Sequence, residues 1–216
     1  MERAKIGIVT GLKAEAAWLA RSGFLVRAGG GTPRGAEAAA RQLLKDGALA
    51  LISFGLAGGL RPGVKPGTVL VPSSVVDGRA VYPCDYRLME FLGGSTGTSI
   101  LAASKIAATA HEKSLLYRRL RAVAVDLESG AVARVAGEKG LAFAVLRAIA
   151  DPAELDLPRA AVSALDDEGR VRLGFVLCSI LREPGQLPGL IKVGRDAKAA
   201  RAALLERLKR LPERSL

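Results

Sequence analysis

The chain has 216 residues, 50% of them hydrophobic, and its 32 lysines and arginines against 21 acidic residues give a net charge of +11. A chain of this length buries roughly 70% of the surface that it exposes when unfolded, so we expect one domain over residues 1–216. No apolar run approaches the roughly 20 residues that span a bilayer, and two cysteines with one histidine exclude a disulfide framework and a multi-histidine metal site.

Strand-like and helical patterns alternate along the chain. The strand-like runs cover residues 5–10, 23–28, 48–54, 67–76, 121–126 and 141–149, with alanine-rich helical patterns between most of them. This order is typical of an α/β fold with a largely parallel central sheet. Pro33 after Thr32 predicts a helix that ends near Gly47. Glycine and proline interrupt residues 55–88, which favours extra antiparallel strands and loops there.

The remaining local signals are modest. The opening MERAKIGIVTG runs into a strand without the cleavage site of a secretory signal, so we expect a cytoplasmic protein. Cys84 and Cys178 lack metal-ligand spacing and are interpreted as structural thiols. His111 lies in a polar helical run and is expected to face solvent.

Positive charge is concentrated near the C-terminus, where we predict a basic helix over about residues 190–211. Such charge attracts nucleic acid, anionic lipid or an acidic substrate. The helix either docks an apolar stripe on the protein or contacts a membrane surface. Aromatic residues make up only 4% of the chain, so we do not expect nucleic acid as a partner. The stripe consists of Ala197, Ala200, Leu204, Leu208 and Leu211.

Acidic residues follow three of the predicted strands: Glu15, then Asp126 with Glu128, then Asp151. Ligands of open α/β sheets bind beyond the carboxyl ends of strands, where such side chains can do chemistry. An acid at a helix start also caps free amides, so both interpretations stay open from the pattern alone.

A fourth strand runs into the segment Gly55, Leu56, Ala57, Gly58, Gly59. Missing side chains there would let a ligand approach backbone amides, or the segment is a plain turn. It has neither the Lys-Ser/Thr of a P-loop nor the spacing of a dinucleotide fingerprint.

Four motifs in order resemble the nucleoside phosphorylases and nucleosidases, which include methylthioadenosine/S-adenosylhomocysteine nucleosidase. They are IGIVTGLKAE, SFGLAGGLRPGVKPGTVLV, VDLESGAVARVA and VLRAIAD. Within this superfamily the chain is most similar to the hopanoid-associated phosphorylases, also described as adenosylhopane nucleosidases, through VDGRAVYPCD, ILAASKIAAT and the tail over residues 151–190. The resemblance implies a three-layer fold with a mixed, largely parallel sheet flanked by helices.

The resemblance also implies an activity, cleavage of the N-glycosidic bond of a 5′-substituted adenosine, with adenosylhopane giving adenine and a ribosylhopane. No metal or other cofactor is expected. Asp151 would protonate the leaving purine, and Glu15 would activate the attacking water. Glu128 and Leu127 would bind the ribose, with leucine where many relatives carry methionine. Asp126 is expected to support its loop by hydrogen bonding and is kept outside the catalytic set.

The nucleophile is either water or phosphate. Phosphorylases usually hold phosphate with arginines and a hydroxyl around the segment 55–59, and Leu56 stands where that hydroxyl is common. We therefore favour hydrolysis over phosphorolysis to a ribose 1-phosphate. Lys13, Arg34 and Arg61 are the cations that could compensate.

The expected partners follow from this substrate. A nucleoside with a large apolar 5′ substituent resides in membrane, so we expect transient contact with the anionic inner membrane surface through the segment 192–214. A homo-oligomer is also expected, with a dimer as first choice. The alternative of a different class is a non-catalytic, basic membrane-binding module on the same scaffold.

Overall fold

The computed structural model describes residues 2–162 and 183–212, so Cys178 and much of the motif-bearing tail lie outside the described residues. The strands are Ile6–Thr10 (β1), Leu25–Ala28 (β2), Ala50–Gly59 (β3), Val69–Leu70 (β4), Ser74–Asp77 (β5), Ala80–Pro83 (β6), Ser99–Ala102 (β7), Ala124–Asp126 (β8) and Ala142–Asp151 (β9). The α-helices are Lys13–Trp18 (α1), Pro33–Lys45 (α2), Tyr86–Phe91 (α3), Ala110–Leu120 (α4), Ser129–Glu138 (α5), Arg159–Val162 (α6) and Leu187–Lys209 (α7). Short 3₁₀ turns occur at Arg3–Lys5 and Pro184–Gln186.

The strands form one mixed sheet in the order β2-β1-β3-β8-β7-β5-β6, and β9 pairs with β3 and β4. Five strand pairs in the described residues are parallel and three are antiparallel. This confirms the predicted α/β fold with a mixed, largely parallel sheet flanked by helices. The parallel pairing of β1, β3 and β9 brings their carboxyl ends to one edge.

The predicted helix after Thr32 is confirmed as α2. The Thr32 hydroxyl accepts a hydrogen bond from the amide of Gly35 at 3.1 Å, and Pro33 occupies the first turn, where no amide is needed. Gly47 follows the helix end with a φ of 94°, a left-handed conformation that favours glycine.

Three details of the sequence-based interpretation were wrong. The strand run 67–76 divides into β4 and β5 around Pro72, which has no amide to donate to a sheet. The segment 55–59 is not a turn, because residues 55–57 continue β3 in parallel register with β9. The run SILA forms an unpredicted strand, β7, which is too short to show a clear periodicity.

Helix α7 carries the C-terminal apolar stripe, and this stripe packs on the protein. Ala200 and Leu204 are fully buried, and the helix lies mainly against β9. The guanidinium of Arg201 lies over the ring of Trp18 in α1, 5.4 Å from its centroid. No helix within residues 2–162 and 183–212 combines the length and the hydropathy needed to cross a membrane.

Two minor predictions concern single residues. His111 is exposed on α4, as expected. Cys84 is buried, and burial raises the pKa of its thiol to about 12, which suits a structural thiol.

Candidate active site

A cavity of about 280 Å³ opens where β1, β3, β8 and β9 end. Its lining contains all three predicted acids, Glu15, Glu128 and Asp151, and also Asp126. Sequence positions more than a hundred residues apart therefore meet in one pocket. Other predicted residues in the lining are Leu56, Ala57, Gly58 and Leu127, whereas Gly55 and Gly59 do not line it.

Glu15 lies in the first turn of α1 with its side chain turned into the protein. It is 2% exposed, and its carboxylate accepts hydrogen bonds from the amides of Leu12 at 2.8 Å and Leu56 at 2.9 Å. The absent side chain of Gly55 makes room for it, because a Cβ there would lie 2.6 Å from Glu15 Oε1. The backbone amide of Leu56 is thus already bonded to a carboxylate.

Arg147, which the sequence analysis did not single out, organises the inner end of the pocket. This residue of β9 is 1% exposed. Its Nε lies 2.8 Å from Asp126 Oδ2, and its Nη2 lies 2.8 Å from Glu128 Oε2. Nη2 also donates to the hydroxyl of Ser53 at 2.8 Å. The available signal was an arginine inside the apolar strand run AFAVLRAI, because a buried charge needs a partner.

The burial and close packing of these charged groups shift the pKa values of Glu128 and Glu15. Burial raises the pKa of Glu128 to about 7; the Arg147 guanidinium opposes this, while the nearby Asp126 and Glu15 carboxylates add to it. Burial also raises the pKa of Glu15, against the effects of Arg147 and of the backbone amides that it accepts from. Both groups therefore hold protons more readily than exposed glutamates.

Asp126 has the supporting role expected for it. Its Oδ1 accepts from the amides of Glu128 at 3.2 Å and Ser129 at 3.0 Å, and its Oδ2 accepts from the Ser129 hydroxyl. These bonds fix the turn between β8 and α5, on which Glu128 stands. Asp126 thus both holds the start of α5 and pairs with Arg147.

Asp151 lies at the end of β9, at a different part of the pocket. Its side chain is 16% exposed, and its Oδ2 lies 2.5 Å from Lys113 Nζ. Burial raises the pKa of Asp151, whereas Lys113 lowers it. Lys113 is a second residue that the sequence analysis missed, because α4 reads as a polar, solvent-facing helix.

The remaining walls are aliphatic. Leu127, Ile106, Leu157, Val193 and Ala197 line the pocket, and none of its described lining residues is aromatic.

The cations proposed from the sequence lie elsewhere. Lys13, Arg34 and Arg61 are exposed and do not line the cavity, which Lys105 and Arg147 do.

Comparisons with known proteins give a family match and a fold match. A family model described as the phosphorylase superfamily matches residues 6–90 and 94–182. No curated protein sequence matches the chain significantly.

Solved structures share the fold at low identity. The S-adenosylhomocysteine nucleosidase of Streptococcus pyogenes, in complex with 5-methylthiotubericidin, is 17% identical with a TM-score of 0.65, over 96% of this chain and 97% of that one. The 5′-methylthioadenosine/S-adenosylhomocysteine nucleosidase of Helicobacter pylori is 16% identical with a TM-score of 0.67, over 98% and 100%. Futalosine hydrolase of Helicobacter pylori is 15% identical with a TM-score of 0.65, over 95% and 97%.

The raised pKa of Glu128 predicts a pH-dependent stability. A carboxyl whose pKa is about 7 when folded, against 4.5 as the ordinary value, favours the folded state while protonated. This contribution is complete below pH 4.5 and is lost as the pH rises through about 7. Glu128→Gln keeps an acceptor for Arg147 and removes the titration. Between about pH 4.5 and 7, the free energy of unfolding of this variant should therefore improve relative to wild type by up to about 1.4 kcal/mol per pH unit.

Urea unfolding at a series of pH values measures this difference. Glu138→Gln alters an exposed glutamate and should leave the wild-type pH dependence intact. If the Glu128→Gln and wild-type curves ran parallel, Glu128 would not carry the shifted proton.

Proposed function

The chain belongs to the phosphorylase superfamily, and from that premise we propose that it is a purine nucleosidase, hydrolysing the N-glycosidic bond of a 5′-substituted adenosine. One observation supports this most strongly: Glu15, Glu128 and Asp151 converge on a single cavity from three separate strand ends. Breaking this bond places negative charge on the departing purine and positive charge on the ribosyl ring. An acidic group near the purine can supply a proton to it, and another near the ribose can stabilise the positive charge on the ring.

We assign Asp151 to the purine, as the acid that protonates this leaving group. A carboxylic acid can protonate the leaving purine, and partial burial raises the pKa of Asp151 towards the range in which it holds a proton. Gly58 leaves space beside it, since a Cβ there would lie 3.3 Å from Asp151 Oδ1.

Glu128 is assigned to the ribose. Its carboxylate can accept hydrogen bonds from sugar hydroxyls and stabilise cationic character in the ring. Arg147 holds one carboxylate oxygen at 2.8 Å and so fixes the orientation of the group. Leu127 lines the pocket beside it and supplies an apolar contact.

Glu15 is assigned to the attacking water, and the local charge favours water over phosphate. Three carboxylates, those of Glu15, Asp126 and Glu128, surround the single guanidinium of Arg147. A phosphate dianion would be repelled by this excess of acid. The amide of Leu56, which could hold phosphate, already donates to Glu15 at 2.9 Å. Phosphorolysis remains the alternative that the assay below decides.

The substrate class follows from the outer wall. Leu157, Val193 and Ala197 line the pocket, and the same segments expose Leu155, Leu187 and Ile191 to solvent. Aliphatic side chains in and near the pocket suit a large apolar 5′ substituent, for which the resemblance to the hopanoid-associated phosphorylases suggests adenosylhopane.

Membrane contact belongs to the same proposal. Ile191, Arg195 and Lys198 are exposed on one face of α7, at the spacing i, i+4, i+7. An apolar side chain beside two cations suits transient binding to anionic lipid at the inner membrane surface. We propose a cytoplasmic enzyme, as a homodimer, that reaches its substrate there. A non-catalytic module would bind lipid without releasing purine.

The first test compares buffers. Purified protein incubated with 5′-methylthioadenosine or adenosylhopane should release adenine at the same rate with and without phosphate, and the sugar product should be the free ribose derivative. Chromatography of both products measures this. Strict phosphate dependence with a ribose 1-phosphate product would replace hydrolysis by phosphorolysis, and no purine release would favour the non-catalytic module.

The second test addresses residue roles. Asp151→Asn removes the proton donor and should lower kcat/KM by about 10²- to 10⁴-fold. Glu15→Gln should lower kcat similarly while leaving the affinity for an unreactive nucleoside analogue nearly unchanged. Asp46→Asn and Glu138→Gln make the same chemical changes outside the pocket and should retain wild-type rates. Near-normal activity in folded Asp151→Asn protein would show that the acid is misassigned.

The third test concerns the membrane. Arg195→Glu with Lys198→Glu should weaken binding to phosphatidylserine-containing vesicles by about tenfold or more, because each nearby cation contributes on the order of 1 kcal/mol. Arg201 is unsuitable for reversal, since it packs over Trp18.

Co-sedimentation at several salt concentrations measures this binding. The pair Lys45→Glu and Lys139→Glu makes the same charge change elsewhere and should bind nearly as wild type does. Equal weakening by both pairs would mean that net charge, and not this face of α7, governs the contact.

A further inference from the structure

Lys113 is a buried cation for which the proposed chemistry has so far no use. Its side chain is fully buried, although the helix that carries it, α4, is otherwise largely polar. Nζ donates to Asp151 Oδ2 at 2.5 Å, to the carbonyl of Pro152 at 3.0 Å and to the carbonyl of Leu155 at 2.9 Å. The three donors of the ammonium group are thus all used by the last residue of β9 and the segment that follows it.

This arrangement differs from a surface ion pair. Exposed lysines move freely and contribute little, whereas a lysine removed from water must be held by several oxygens. The hydrogen bonds of Lys113 Nζ thus connect α4 to the end of β9. The position of Asp151 at the pocket edge therefore depends on Lys113.

Only one oxygen of Asp151 is held. Within the described residues Lys113 is the one side chain that donates to this carboxylate, and it does so at Oδ2. Both oxygens lie beside Gly58, where an added Cβ would be 3.3 Å from Oδ1 and 3.4 Å from Oδ2, but Oδ1 accepts no hydrogen bond from the described part of the chain.

We propose that Lys113 is a positioning residue for glycosidic cleavage: it fixes Asp151 through Oδ2 and presents Oδ1 to the purine. This inference rests on the nucleosidase function proposed above.

Glycosidic cleavage then involves two proton transfers. The proton on Asp151 Oδ1 passes to a purine nitrogen as the N-glycosidic bond breaks, and the electron pair of that bond leaves with the purine. Water adds to the ribosyl carbon and gives a proton to the ionised Glu15 carboxylate, which then releases that proton to solvent. Asp151 is left as a carboxylate paired with the Lys113 ammonium, and a proton from solvent restores it.

The elements that carry or adjoin the pair bear other charged groups, most of which have partners of their own. Asp196 on α7 adds to the raised pKa of Asp151 and is itself paired with Lys192 at 2.7 Å. Glu112 on α4 accepts from the amide of Ala108 and lies 3.9 Å from Lys105. In the segment after β9, Glu154 accepts from the amide of Gly63, and Asp156 accepts from the amide of Ala110.

Lys113 therefore supplies the main positive charge that opposes burial at Asp151. Without it, burial and Asp196 act unopposed, and the pKa of Asp151 rises further. Since the protonated acid is the active form, the fall in activity at high pH should move to higher pH.

The test is a pH profile of kcat/KM for adenine release from 5′-methylthioadenosine. Lys113→Met keeps the unbranched apolar chain and removes the ammonium. We expect kcat to fall by about tenfold or more, because Asp151 is no longer fixed, and the alkaline limb to move to higher pH. Lys113→Arg keeps the charge and should keep the limb near its wild-type position. Lys139→Met changes an exposed lysine and should leave the profile unchanged.

A second substrate separates positioning from folding. A nitrophenyl riboside loses a phenolate that needs no proton, so Lys113→Met should slow it far less than it slows the nucleoside. Where Lys113→Met does not fold, Lys113→Gln removes the charge and retains donors for the two carbonyls. An unmoved alkaline limb, with both substrates slowed equally, would make Lys113 merely structural and overturn the inference. Inactivity of wild-type protein on every nucleoside would instead overturn the proposed function.

Discussion

The buried ion pairs of Arg147 are the interaction on which the pocket depends. A guanidinium that is 1% exposed holds Asp126 and Glu128, each at 2.8 Å. Without that charge, three carboxyl groups could not share so small a volume, because burial and mutual repulsion both oppose their ionisation. Arg147 is held in turn by β9, which pairs in register with β3. The sheet thus fixes the position of Arg147, and Arg147 fixes the carboxylates of Asp126 and Glu128.

The two ends of the pocket use separate cations with separate consequences. Arg147 serves the inner end with Glu15 and Glu128, while Lys113 serves Asp151 from a different helix. The pKa of Asp151 can therefore be set separately from those of Glu15 and Glu128, although all three residues line one cavity. The proposed chemistry makes opposite demands at the purine and at the ribose, which such independence would meet.

The sequence predicted the α/β class, most strands and the acids at the strand ends, because hydrophobic periodicity and strand order are local signals. It did not reveal Arg147 or Lys113 as site residues. Each lies in a context that suggests another environment: Arg147 sits in an apolar strand, and Lys113 in a polar helix. Their importance comes from tertiary pairing with Asp126, Glu128 and Asp151, which no local pattern encodes. The extension of β3 through Gly58 was missed for the same reason, since pairing with β9 overrides the turn preference of glycine.

Glycine has a different use here from the one that the pattern suggested. Segment 55–59 looks like a loop that offers its amides to a ligand, yet it continues a strand and its Leu56 amide is bonded to Glu15. Gly55 admits Glu15 and Arg147, since a Cβ there would lie within 2.7 Å of both side chains, and Gly11 likewise admits Glu128. The missing side chains make space for the protein's own acids. The same residues that could form an anion site are thereby committed to an acidic one, and this acidity is the physical basis on which we propose water as the nucleophile.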